Sequence, residues 1–312
     1  MFKPLGRLAV TRATKSPWTN VYGLARSLLA LATLGTLTFS TSTVLFHPVQ
    51  GLPPSPYCSH LACLSLFCVT KGKLDAARWI AIAILAIVVS GWRPRWTAIP
   101  HWWIAFSLQA SISIPDGGDQ LNALLALLLV PAAILDERKW HWNVTAASSP
   151  SDGALASVLK RVTAHFFFQV IRLQVALVYF DSAVSKFRVE EWANGTALFY
   201  WLNYSIFGVP TWSKGLIDLF VNNPVGVAFL TWGTLILEIT LAAGLILPRH
   251  VRPYLLGAGL LFHFAIAILM GLGSFSITMI GALLLFLRPV EAPLTMPLTW
   301  TALRTDSFAS IS

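Results

Sequence analysis

From residue 24 to residue 46 the chain runs 23 residues with Arg26 as its one charge. Such a run is long enough to cross the ~30 Å hydrocarbon core of a bilayer as a helix, which takes about 20 residues. Seven more apolar runs follow at 76–92, 99–114, 121–135, 163–183, 226–247, 254–270 and 274–287. In lipid every backbone N–H and C=O must be satisfied within the segment, so runs of this kind dictate helices. Composition closes off the soluble alternative. Charged residues make up 11% of the 312, where a soluble domain carries about 25%. Hydrophobic residues reach 56% and the mean hydropathy is +0.68. The expected fold is an all-α, polytopic membrane helix bundle of about eight spans. Six or seven remain open because several runs are short for an upright crossing.

The charges set an expected orientation. With a cytoplasmic N-terminus and eight crossings, fifteen of the 22 basic residues fall inside, six fall outside, and Arg172 lies within a span. That bias fits the positive-inside rule and places both termini in the cytoplasm. Residues 1–20 form a basic N-terminal segment, 291–312 a short C-terminal tail, and 1–312 one membrane domain. The first run is too long for a signal-peptide core and lacks an Ala-x-Ala site, so it reads as a retained span. The basic residues come in ones and twos between apolar runs rather than on a patch, which argues against nucleic acid as a partner. The bilayer is the partner that composition implies.

Other features have ordinary readings. Cys58, Cys63 and Cys68 are neither a CxxC pair nor a zinc spacing, and an odd count leaves one thiol unpaired. They read as small apolar residues near a membrane surface. Most tryptophans flank the runs, as interfacial anchors do. The stretch 195–209 is aromatic but too short to span, and reads as interfacial or re-entrant.

Ionisable groups in hydrocarbon are costly and therefore mark sites. On the fifth run His165, Gln169, Arg172, Tyr179 and Lys186 recur at steps of 4, 3, 7 and 7, which holds them on one helix face. Snorkelling at the two interfaces is the plain alternative for His165 and Lys186. Glu238, alone in the sixth run, has Arg172 as its natural partner, in either a structural or a proton-handling pair. His263 is isolated in the seventh run. No histidine spacing supports a metal site. Asp116-Gly117-Gly118-Asp119 reads as a turn and helix cap, with cation or partner binding as the alternative.

The segment Val178-Tyr-Phe-Asp-Ser-Ala-Val-Ser-Lys186, followed by Glu191-Trp192-Ala-Asn-Gly195, resembles the HTTM family. This is the membrane domain shared with vitamin K-dependent gamma-carboxylase. Asn20-Val-Tyr-Gly-Leu-Ala-Arg-Ser27, Asp116-Gly-Gly-Asp119, Glu238 and the stretch from His263 to Met270 are similar to the sporulation-delaying protein B branch. The resemblance covers residues 18–290. It implies that Lys186 occupies the position of the carboxylase base, with Trp192 and Gly195 completing the element. The carboxylases' large extramembrane region has no counterpart here, so glutamate carboxylation is not expected. The branch implies bacterial maturation of a secreted peptide toxin, alongside a smaller accessory protein.

The leading expectation is thus a bacterial multispan protein of the cell membrane that assists maturation or release of a secreted antimicrobial peptide. Its outward cavity would be lined by Arg172, Tyr179, Asp181, Lys186, Glu238 and His263, with Lys186, Glu238 and His263 as catalytic candidates. The alternative is a membrane oxidoreductase or lyase with a quinone-like cofactor, Lys186 as base, and residues 199–207 in the pocket. A transport pathway would call for interrupted helices in two matching halves, which the sequence lacks. No Gly-x-Ser-x-Gly, zinc-protease helix or Walker loop is written in the chain.

Overall fold

The computed structural model describes residues 15–51, 55–70, 72–143, 155–204 and 208–294. Among these residues the chain is all-helical, apart from an isolated bridge between Trp92 and Trp140. Eight main helices occur, one on each apolar run: α1 (Asn20–Phe39), α2 (Leu74–Ser90), α3 (Pro94–Ser111), α4 (Gly117–Ile134), α5 (Leu155–Phe187), α6 (Pro224–Ala243), α7 (Arg252–Met270) and α8 (Gly273–Leu287). Five of them, α1, α4, α5, α6 and α7, are long and apolar enough to cross a membrane, and α8 is a shorter apolar helix. Most of the expected basic N-terminal segment, the loop after Asn143 and most of the C-terminal tail lie outside the described residues.

Helix ends follow local chemistry. Thr19 caps α1 by accepting from the Val21 N–H, and its hydroxyl donates to the Val290 carbonyl. The first apolar run was expected to remain one span to residue 46, but α1 stops at Phe39. Ser40 to Thr43 are hydroxyl residues that compete for backbone hydrogen bonds, and a separate turn of helix, Ser42–Leu45, follows. Arg78, one of the six basic residues that the eight-span count puts outside, is buried and donates to the Leu37 carbonyl 2.8 Å away. It closes the C-terminal end of α1, where the helix dipole favours a cation. Asp116 and Asp119 form a capping box on α4: Asp116 accepts from the Asp119 N–H at 2.8 Å, and Asp119 accepts from the Asp116 N–H at 3.2 Å.

The core is organised around α8, which packs against α1, α4, α5 and α7. Residues 281–287 are buried at every position. A helix that is apolar all round belongs inside a bundle, so α8 can be short without exposing its ends to lipid. A second cluster joins α1, α2 and α3 with Phe46, Leu66 and Phe67. There the cysteine expectation is corrected. Cys58 and Cys68 form a disulfide, because the turn at His60–Leu64 folds Leu66–Val69 back toward Tyr57; Cys63 is free and exposed.

Candidate functional site

Five helices and one connecting segment enclose a cavity of about 390 Å³, within the range of ligand pockets. Each helix contributes at helical spacing: Gly117 and Leu121 from α4, Tyr179, Ser182 and Lys186 from α5, Thr234 and Glu238 from α6, His263, Ile266 and Met270 from α7, and Phe275 and Met279 from α8. These steps of three and four put each set on one face. Trp192, Leu198 and Trp201 complete the lining from the segment after α5. Most of this surface is apolar, and the polar groups gather on one wall.

Two pairs make that wall. Lys186 Nζ donates to Glu238 Oε1 in a salt bridge between helices α5 and α6, and to Ser182 Oγ at 2.8 Å. Ser182 in turn donates to the same Glu238 oxygen at 3.3 Å. The ammonium also lies 5.1 Å from the centre of the Trp192 ring, a cation–π distance. Tyr179 Oη and His263 Nε2 are 2.8 Å apart, with both residues 2% exposed. The second oxygen of Glu238 and Nδ1 of His263 are buried and have no partner among the described residues. Buried polar atoms of native proteins are nearly always satisfied, so orphans of this kind on a cavity wall mark places where a ligand can bond.

The connecting segment is fixed by one glycine. Gly195 has φ +87°, a left-handed conformation that favours glycine, and a Cβ there would sit 3.1 Å from the Trp232 ring. Trp232 also donates to the Ala193 carbonyl at 3.4 Å. The Trp192-x-x-Gly195 element is thereby docked on α6 with Trp192 over the lysine. The aromatic stretch continues as a helix, Ala197–Asn203, anchored where Thr231 Oγ1 accepts from the Leu198 N–H. Residues 205–207 lie outside the described set.

The structure brings together Tyr179, Lys186, Trp192, Glu238 and His263 from the expected set and separates the others. Arg172 is not the partner of Glu238. It lies 14 residues before Lys186, about 21 Å along α5, and donates to the Phe286 carbonyl at 2.9 Å and to Gln169 at 3.3 Å. Asp181 is exposed rather than in the cavity, because two residues past Tyr179 is about 200° around the helix. His165 is buried beside the Lys15 carbonyl, 3.2 Å from its Nε2, at the Arg172 end. Asp116 and Asp119 serve the α4 cap. Ser182 was not singled out in the sequence, although steps of three from Tyr179 and four to Lys186 place it on the same stripe. His141 was also overlooked: it is buried, with Nε2 3.1 Å from Ser27 Oγ.

Among known proteins, residues 142–290 match the HTTM domain. The chain is 40% identical over 281 residues to the protein YitO of Bacillus subtilis (strain 168), covering 89% of this chain and 88% of that one. It is 33% identical over 286 residues to the sporulation-delaying protein SdpB of the same organism, covering 91% of this chain and 85% of SdpB. No solved structure matches.

Proposed function

This chain belongs to the HTTM, SdpB-like family of membrane proteins, and from that premise we propose that it assists maturation or release of a secreted antimicrobial peptide in the bacterial cell membrane. The observation that carries the reading is the cavity, which sets a cluster of bonding groups against an otherwise apolar lining. An apolar segment of the precursor lies along α7 and α8, and a polar group of its backbone meets the orphaned atoms of Glu238 and His263. Lys186 is the positioning charge of that wall, held by Glu238, Ser182 and Trp192. The cavity faces outward, and a smaller accessory protein acts alongside. Co-expression with a small precursor gene from the same neighbourhood tests this, with the mature peptide measured in the medium by mass spectrometry. Lys186→Ala should abolish the peptide when compared with the wild type at equal amounts of membrane-inserted protein. Undiminished peptide in that variant would remove Lys186 from the site.

The apolar lining also favours a second reading, a site for a quinone-like cofactor. Trp192 and Trp201 would flank its ring and Ile266, Met270 and Met279 its tail. When bound, such a group supplies two-electron redox chemistry. Lys186, Glu238, Tyr179 and His263 would hold or move a proton at a ring oxygen. Failure of the purified protein to bind added menaquinone would count against this reading and leave the first intact.

A further inference from the structure

A second pocket lies toward the N-terminal part of α5, bounded by the turn between α6 and α7 and by the residues that end and follow α8. Four arginines line it, Arg172, Arg249, Arg252 and Arg288, and Glu291 is the one carboxylate among the lining residues. The guanidinium groups of Arg172, Arg252 and Arg288 are braced by backbone oxygens, that of Arg288 by the Pro293 carbonyl at 3.5 Å. Arg172 Nε donates to the Phe286 carbonyl at 2.9 Å, and Arg252 donates to those of Leu247 and Leu245 at 3.2 and 3.3 Å. Arg288 places its Nε in a buried position with no acceptor among the described residues. Carbonyls hold a guanidinium in place without neutralising it. Arg249, Arg252 and Arg288 alone bring three like charges to one partly enclosed pocket whose described lining holds a single carboxylate, an excess that an anion would balance.

We propose that this pocket binds a phosphate group, carried either by a phospholipid headgroup or by a soluble phosphate ester. The planar fork of arginine matches phosphate oxygens two at a time, which a lysine cluster would not do. The pocket sits where the apolar helices end, at the level at which basic pockets between membrane helices meet anionic headgroups. It is independent of the Lys186 cavity and uses none of its residues.

Thermal unfolding of the full chain in a neutral detergent, at constant ionic strength, provides the test. Dioctanoyl-phosphatidylglycerol should raise the melting temperature saturably, and dioctanoylglycerol, which lacks the phosphate, should not. In Arg249→Gln, a change at an exposed residue that leaves the fold readable, the saturation midpoint should move up about threefold or more; in Arg249→Gln/Arg288→Gln it should move about tenfold or more. Inorganic phosphate separates the two sources. Saturation by the lipid at concentrations about tenfold below those for phosphate assigns a headgroup, whereas equal midpoints assign a soluble ester. An equal shift with dioctanoylglycerol, no saturable shift with either phosphate carrier, or an unchanged midpoint in both variants would overturn the proposal.

Discussion

Lys186 sits at the last turn of α5 with a side chain 23% exposed, and its partner Glu238 is 7% exposed. An ion pair removed this far from water gains little net stability, yet losing one member strands the other, at about 3–5 kcal/mol. The stranded group here would be a carboxylate whose second oxygen has no partner among the described residues. Lys186→Met should therefore destabilise the protein by about 3 kcal/mol, whereas Lys186→Met/Glu238→Leu should lose about 1 kcal/mol or less. Chemical unfolding in detergent of the two single variants and the double gives the coupling directly. Additive losses would show that the pair is not coupled. The sequence indicated that Glu238 needs a cation, and the α5 stripe offers two of them. Choosing between Arg172 and Lys186 requires the axial register of α5 against α6, which neither helix's own pattern contains. The capping box and the one-face stripe were legible because both are local to a single element.

The existence of each helix was readable from hydropathy, since every apolar run holds one. What the runs could not show is which helices face lipid. Burial on all sides and contact with hydrocarbon select the same residues, so α8 looks in sequence like a short span. Contacts between elements were equally hidden. Gly23 of α1 and Gly91 after α2 each leave room that a Cβ would take from the His141 ring, at 2.9 and 2.4 Å. His141, in the connection after α4, thus locks α1 against the α2–α3 turn, where its N–H also donates to the Gly91 carbonyl. Burial, with Arg26 and Arg138 nearby, pushes the imidazole down to about 3 from its ordinary 6.5. In the unfolded chain the ring binds its proton near pH 6.5, and in the folded one only near 3. The stabilisation is therefore full above pH 6.5 and is lost as the pH falls toward 3. A loss of about 2 kcal/mol is expected between pH 7.5 and pH 5 from this group. Melting temperatures in detergent across that window should fall for the wild type and fall less for His141→Gln. Parallel profiles would show that the drop arises elsewhere.

At the scale of the whole molecule, the two ends of the bundle differ in chemistry. One end gathers Arg138, Arg249, Arg252 and Arg288 around the connections after α4, α6 and α8. The other carries the Cys58–Cys68 disulfide between α1 and α2, and the Lys186 cavity opens among helix termini of that same end. Disulfides persist in oxidising surroundings and are rare in the cytosol, while basic loops are retained on the cytoplasmic side. Both signals support the proposed orientation, in which the cavity lies on the outer side of the membrane. Cys63, exposed and unpaired, reports it. A membrane-impermeant maleimide added to intact cells should label Cys63 without reductant, and should reach Cys58 and Cys68 only after the disulfide is reduced. Cys63→Ser should abolish the first signal and keep the second. Labelling that appears only after the membrane is permeabilised would invert the bundle and turn the cavity toward the cytoplasm. A precursor would then have to meet Lys186 and Glu238 before crossing the membrane rather than after it.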